Sequence, residues 1–334
     1  MPAVLATCVL TLVGAMRSAA DQEPPDARAL LARAREVADL RTEGSAPFEL
    51  HAQIEATITR KKITGEYVLI WLAPNWWREE LHLGNYQRLR VGADGGYNQL
   101  RSMDYSPAII FEFDSVMSAF AMTKIEEKET FDGPRMRTED GISMACVQSQ
   151  VKGVPLSEHC FDPQTGSLLR FQSLQNPKMR LLETVEVVYS QIEQFGEKRV
   201  PRAIRMKKGD WYAAQISVTE LKPARVSDSS LFATPPQSEF WPSCRDMALA
   251  EIVESTLPQY PDIARQQRQQ GIVTLYFRIE PDGTVSHVRS LSAPGVQLEA
   301  AATKAVRGWK YKPATCKGKP IRVEITGEVT FELR

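Results

Sequence analysis

Histidine is scarce in this chain of 334 residues, and that scarcity narrows the chemistry it can perform. The four histidines lie far apart, and none is at the spacing of a metal site: His51, His82, His159 and His287. Imidazole is the side chain most often used as a general base and as a metal ligand. Because no nucleophile elbow replaces it, we expect no enzymatic activity, no metal and no cofactor.

An excess of positive charge is missing as well. The chain has 41 Lys and Arg against 41 Asp and Glu, a formal net charge of zero. Proteins that bind nucleic acid through its phosphates carry a basic excess, so that class is excluded. A composition of 43 % hydrophobic and 25 % charged residues is typical of globular proteins, and the length favours two domains.

The first twenty residues differ in composition from the rest. Pro2 to Met16 is an almost unbroken apolar run, and Arg17 and the small residues 18–20 follow it. This pattern is typical of a signal peptide cleaved after Ala20. An uncut anchor is disfavoured because about 15 helical residues rise roughly 22 Å, less than the roughly 30 Å hydrocarbon core. Lipidation at Cys8 is a third alternative, disfavoured because the apolar run continues past it.

Cleavage would leave four cysteines, an even number that suits an oxidising compartment. Cys146 and Cys160 flank a short segment with a Lys-Gly turn, so a hairpin could place them opposite each other. Cys244 and Cys316 then pair by elimination. The alternatives are free thiols in a cytosolic protein and a zinc site, which the absence of Cys-x-x-Cys disfavours.

The residues after the signal predict an α+β domain. Leucine and alanine recur at helical spacing within 21–41, and from Phe48 the pattern changes to the period of two that marks strands. Ile109 to Met122 predicts a helix over the sheet, and strands resume from Arg135 to about Lys222. We therefore expect a large, curved antiparallel sheet with a few helices.

The segment FDPQTGSLL at 161–169, with Tyr189, Phe195-Gly196 and Ser230-Leu231-Phe232, is similar to the strand and turn rhythm of LolA-like and LolB-like proteins. The resemblance covers about 22–236 and implies an open half-barrel that can hold lipid acyl chains, so we expect a domain of this kind at 21–232. Apolar residues available to line such a cup are Trp71, Trp76, Trp77, Phe111, Phe113, Met117, Phe120 and Met122. A filled core is the alternative role for this set. The rings of Trp76 and Trp77 should face opposite sides of a strand.

A break at 233–243, ATPPQSEFWPS, contains three prolines and predicts a linker to a last domain at 244–334. A short helix from Tyr260, strands around Val273 to Ile279 and 284–291, and a helix from Leu298 to Trp309 precede a final strand. That strand alternates cleanly, with Ile321, Val323, Ile325, Val329, Phe331 and Leu333 on one face and Arg322, Glu324, Thr326, Glu328, Thr330 and Glu332 on the other.

The order YP, G-x-V, D-G, L-x-x-A-A-x-x-A-V-x-x-W and Y-x-P in 257–333 resembles the TonB carboxy-terminal domain, a βαββαβ-type unit. The resemblance implies a periplasmic module that pairs with an extended segment of an outer-membrane transporter. Strand addition at an unpaired edge is consistent with it. The half-barrel occupies the place of TonB's proline-rich and lysine-rich spacer, so we expect binding without force transmission.

Two uses of this last domain stay open in the sequence. The final strand could pair with a partner or with a second copy of itself, which would give a homodimer. A local basic block without acids could contact an anionic surface or be a solvated face: Lys304, Arg307, Lys310, Lys312, Lys317, Lys319 and Arg322. The resulting hypotheses are an exported interaction protein that binds an outer-membrane transporter or another envelope protein, and a soluble carrier of lipid or lipoprotein.

Overall fold

The computed structural model describes residues 26–333 except 43, 59, 118–129, 152–153, 174–183, 210–211, 226–227 and 245–246. The predicted signal peptide and the predicted cup residues Phe120 and Met122 lie outside these described residues. Among the described residues, no helix is both long enough and apolar enough to cross a membrane.

Thirteen strands form one sheet in the front domain. Each strand is antiparallel to its neighbours. The strands are β1 Phe48–Ile58, β2 Lys61–Ala73, β3 Trp76–Leu83, β4 Tyr86–Ala93, β5 Gly96–Arg101, β6 Thr130–Glu139, β7 Ile142–Val151, β8 Val154–Phe161, β9 Leu168–Ser173, β10 Val185–Phe195, β11 Lys198–Lys208, β12 Tyr212–Pro223 and β13 Glu239–Pro242. Their order in the sheet is β13-β5-β4-β3-β2-β1-β12-β11-β10-β9-β8-β7-β6.

Two helices cover one face of this sheet, α1 Ala27–Ala38 and α2 Ala108–Val116. The apolar side of α1, with Leu30 and Leu31, packs in the same core as the inward residues of β1, such as Leu50 and Ile54. These residues alternate with exposed ones along β1, because successive side chains of a strand point to opposite faces. The predicted α+β half-barrel is confirmed.

The carboxy-terminal module has its own core and a smaller sheet with the order β17-β16-β21. Helix α4 packs on β16 and β17. Its elements are β14 Met247–Ala248, β15 Glu251–Glu254, α3 Asp262–Gln266, β16 Gly271–Ile279, β17 Val285–Ser292, α4 Val296–Arg307, β18 Lys310–Lys312, β19 Thr315–Cys316, β20 Lys319–Pro320 and β21 Val323–Phe331. The βαββαβ order is present as β15, α3, β16, β17, α4 and β21.

The predicted linker over 233–243 contains a strand in its second half. Glu239–Pro242 is strand β13, which pairs with β5 at the margin of the front sheet. Proline is tolerated there because β13 has only one neighbour in the sheet. The chain therefore enters the module from a strand that belongs to the front domain.

Both predicted disulfides are confirmed. Cys146 and Cys160 lie opposite each other on β7 and β8 and are bonded. Cys244 lies two residues after the end of β13 and is bonded to Cys316 on β19. The second bridge therefore fastens the entrance of the module to its last third, 72 residues further on.

Candidate functional site

Strand β21 is the edge of the module's sheet. It pairs with β16 in one continuous register from Val323 opposite Ile279 to Phe331 opposite Gly271. No other described strand pairs with it, so alternate N–H and C=O groups point away from the sheet. The predicted binding strand thus begins two residues late, because Ile321 and Arg322 precede it.

The two faces of β21 have the predicted character. Val329 and Phe331 are buried in the module's core, and Val323 and Ile325 pack partly against it. Gly327 lies on the same face, where a Cβ atom would come within 2.9 Å of Cε1 of Phe277. The ring of Phe277 fills the space that a larger residue at 327 would need, which explains a glycine in mid-strand.

The polar face of β21 is divided into two halves that the sequence does not distinguish. Glu324 is 13 % exposed and accepts hydrogen bonds from Arg101 of the front domain, at 2.7 Å from Nη2. Thr326, Glu328, Thr330 and Glu332 are exposed. The first half of that face therefore packs on the front domain, and only its second half faces outward.

Trp241 of β13 is the centre of the contact between the domains. Three guanidinium groups lie over its ring, with Cζ to centroid distances of 5.8 Å for Arg101, 5.1 Å for Arg278 and 5.6 Å for Arg322. Such cation–π contacts are stronger where water is excluded, and Trp241 is buried. The indole therefore gathers cations from both domains.

Carboxylates neutralise these cations. Glu239 of β13 accepts from both Arg278 and Arg322, and Arg289 of β17 pairs with Asp104 of the front domain. The hydrogen bond from Arg289 lowers the pKa of Asp104. Burial opposes charge on Arg101, but the hydrogen bonds and charge of Glu324 hold its pKa above the usual value.

Aromatic packing completes this contact. Phe111 of α2 and Tyr105 lie 6.2 Å and 6.1 Å from the ring of Tyr276 on β16. Burial raises the pKa of Tyr276 to about 12, and the charge of Glu324 adds to the shift. Phe111 therefore contributes to the domain contact, and its predicted place in the apolar cup is wrong.

The other predicted cup residues within the described chain lie in different places. Trp71, Phe113 and Met117 are buried in the front core. As predicted, the adjacent tryptophans diverge: Trp77 packs towards that core and Tyr97, whereas Trp76 is 47 % exposed and contacts Phe232. Trp76 is therefore outside the cup. Among the described residues, a cavity between the sheet and α2 measures about 130 Å³.

A charged group that sequence reasoning missed lies beside this cavity. The guanidinium of Arg88 is fully buried and donates to Glu79 at 2.9 Å and to Asp114 at 2.7 Å. Burial opposes ionisation of Asp114, but the charge of Arg88 lowers its pKa below the usual value. Glu79 shares the inward parity of Leu81 and Leu83, so alternation along β3 contained the signal.

A second and larger cavity is a trough of about 910 Å³. It crosses the face of β1, β12, β11 and β10 that is opposite the core, as the row of Glu55, Gln215, Arg205 and Val188 shows. Charges of both signs line it: Glu55, Lys62, Glu139, Asp140, Arg170, Glu186, Arg205 and Lys207. Its apolar residues include Ile63, Ile142, Met144, Leu169, Val188 and Ile192.

The basic block is partly neutralised by acids that are distant in the sequence. β15 lies antiparallel to β18, which places Glu254 at 3.5 Å from Lys310 and Glu251 at 3.7 Å from Lys312. Arg322 pairs with Glu239 and Glu280. In the part of the chain that the structure describes, the members without an ion pair are Lys304, Arg307, Lys317 and Lys319. A continuous patch of seven charges is therefore not formed.

Comparison with known proteins agrees with this architecture. Residues 256–333 match the family model described as Gram-negative bacterial TonB protein C-terminal. Protein TonB of Escherichia coli is 42 % identical over 64 residues, which cover 19 % of this chain and 25 % of TonB. Protein TonB of Vibrio cholerae is 30 % identical over 77 residues, which cover 23 % of this chain and 32 % of TonB. The resemblance of the module to TonB is confirmed.

The matched region spans a quarter to a third of the TonB relatives, so the match concerns the module and not the whole of TonB. The chain is also similar to the crystal structure of a LolA superfamily protein from Nitrosomonas europaea. The TM-score is 0.39 at 11 % identity, over 61 % of this chain and 96 % of that chain. That likeness describes the course of the chain alone. The TonB-like module indicates a protein of the bacterial envelope.

Proposed function

We propose that this protein binds an extended segment of another envelope protein, such as an outer-membrane transporter, by strand addition to the outer edge of β21. The observation that carries the proposal is the nine-residue, unbroken edge of β21, which only β16 pairs within the described chain. A partner strand would satisfy its outward N–H and C=O groups. We propose the module at 244–334 as the binding unit, the domain at 21–232 as its support, and no enzymatic role.

The contact between the two domains is what would let the front domain support the module. Trp241, Arg101 and Asp104 belong to the front domain, and they hold the polar face of the module's sheet at the end where β21 begins. The disulfide of Cys244 ties the same junction covalently. A binding edge on a fixed module loses less conformational freedom on association than one on a free module.

Site-directed photo-crosslinking in cells tests the proposal. A photoreactive residue at Thr330, exposed on β21, should crosslink to an extended segment of one envelope protein. Thr138 is the matched control, since it is exposed on β6, the edge of the front sheet opposite β13. Equal crosslinking from both positions, or none from Thr330, would contradict strand addition at β21.

The alternative function is a soluble carrier of lipid or lipoprotein. The trough of about 910 Å³ supports it, because ligand sites commonly measure 300–1,000 Å³. The smaller cavity near Phe113 is below that range. Of these two cavities, the trough on the outer face of the sheet is the one with room for an acyl ligand.

Native mass spectrometry of protein purified from its own envelope tests the carrier. A bound acyl ligand should be lost in Val188→Asp, which places a charge in the trough. Val253→Asp is the control, because Val253 is exposed on β15 of the module. A wild-type protein without any lipid mass would count against the carrier.

A further inference from the structure

We infer that the strand accepted by β21 carries a lysine or arginine opposite Glu328 and another opposite Glu332. This inference rests on the proposed function, since it specifies the partner of the same edge. It is drawn from which charges of the strand are already used inside the molecule and which are not.

The first half of β21 has no charge to offer. Glu324 is paired with Arg101 and also lies 3.4 Å from Nε of Arg278. Arg322, just before the strand, is paired with Glu239 and Glu280. A partner side chain beside this half would meet neutralised groups and the front domain.

The second half differs. Glu328, within β21, and Glu332, which directly follows its last residue Phe331, are exposed, and neither has an ion pair or hydrogen bond within the described residues. On β16 the residue opposite Glu328 is Thr274, which is uncharged, and the pairing with β16 ends at Phe331. An added strand that continues one residue past the end of β21 would lie beside both carboxylates.

The spacing of these carboxylates defines a partner pattern. Residues directly opposite on paired strands have Cβ atoms roughly 4.5–5.5 Å apart, close enough for an ion pair. Glu328 and Glu332 are four positions apart, with Thr330 between them on the same face. The partner therefore has basic residues at i and i+4 and an uncharged residue at i+2.

The core-facing side of β21 determines which residues the partner should have at i+1 and i+3. Val329 and Phe331 point into the module's core, and Tyr260 packs edge-on against Phe331 at 5.5 Å. Partner residues at i+1 and i+3 would extend this apolar face, so they should be apolar. The partner is thus a cationic, amphipathic extended peptide, and an acidic segment is disfavoured by like-charge repulsion.

Three synthetic peptides of identical apolar pattern test the inference, with Lys, Gln or Glu at both i and i+4. Binding to the full chain is measured by fluorescence anisotropy at low and high salt. We expect the Lys peptide to bind about five-fold more tightly than the Gln peptide and the Glu peptide to bind most weakly, because each opposite-charge pair contributes a modest gain. Added salt should reduce the spread.

Two charge-reversal variants distinguish the effect of the charge at position 328 from the effect of the protein's net charge on peptide binding. Glu328→Lys should abolish the order of the three peptides, because attraction at Glu332 is then offset by repulsion at position 328. Glu197→Lys makes the same change in net charge at an exposed turn of the front domain and should leave the order unchanged. Glu328→Gln, a milder change, should remove roughly half of the preference and serves if Glu328→Lys does not fold.

The outcomes separate the two proposals. Equal affinities for all three peptides, or tightest binding of the Glu peptide, would overturn the charge inference and leave strand addition standing. An order that Glu197→Lys alters as much as Glu328→Lys would also overturn it. Failure of every peptide to bind would overturn strand addition itself.

Discussion

The edges β6 and β21 differ in how well they can template another strand. β6 contains Pro134 and a register shift against β7 between Asp132 and Arg135, and it exposes charged side chains. β21 keeps a continuous register over nine residues. Proline, bulges and charges are common protection for sheet edges. β21 has neither a proline nor a register shift, so its edge lacks these two kinds of protection.

The largest loss of stability is expected when the ion pair beside the first half of β21 is broken. Arg101→Met would remove the main cationic partner of Glu324 at a site where both side chains are nearly buried, leaving Arg278 and Tyr276 beside it, and should cost about 3 kcal/mol of stability. Arg135→Met on β6 removes an exposed pair with Asp132 and should cost less than about 1 kcal/mol. Urea unfolding of both variants tests this, and similar losses would contradict the asymmetry.

Removal of the disulfide between Cys146 and Cys160, beside β6, should cause the next largest loss of stability. Replacing Cys146 and Cys160 by serine opens a loop with a sequence separation of 14 and should lower stability by about 3 kcal/mol. Partner binding at β21 should be unchanged, because the bridge lies in the front sheet at β7 and β8. Loss of binding in this folded variant would show that the two edges are coupled.

Acid should weaken the β6 side of the molecule. Burial lowers the pKa of His159 on β8 to about 4, against a usual value of 6.5, so the folded protein keeps it neutral. The unfolded chain binds the proton first, and stability should therefore fall by about 2 kcal/mol as pH drops from 6.5 to 4. Unfolding at several pH values checks this, with His159→Phe predicted to flatten the profile.

The smallest effect concerns the glycine of β21. Gly327→Ala places a Cβ against Phe277 and should cost about 1–2 kcal/mol. In a Phe277→Leu background the same substitution should cost less, because the ring is gone. Thermal unfolding of the four proteins in this double-mutant cycle measures the coupling, and additive losses would refute the contact.

Local patterns in the sequence predicted the elements well. Alternation placed β1 and β21, helical spacing placed α1 and α4, and the spacing of Cys146 and Cys160 indicated the hairpin. These features depend on neighbouring residues, whose periodicity reflects a single buried face. Both family resemblances could be read from short motifs for the same reason.

Contacts between distant segments could not be predicted. The strand Glu239–Pro242 lacks strand-like alternation and forms because β5 offers it an edge. Glu254 and Glu251 neutralise Lys310 and Lys312 because β15 pairs with β18. No local sequence pattern predicts that pairing. The placement of Phe111 against Tyr276 depends in the same way on how the domains pack.

Hydrogen exchange with and without the crosslinked partner segment, supplied as a peptide, tests the central claim most directly. We expect the peptide to protect alternate amides of β21, whose N–H groups point outward, and to leave β6 unchanged. Protection that falls on the trough around Val188, or on β6, with β21 exchanging as before, would contradict it.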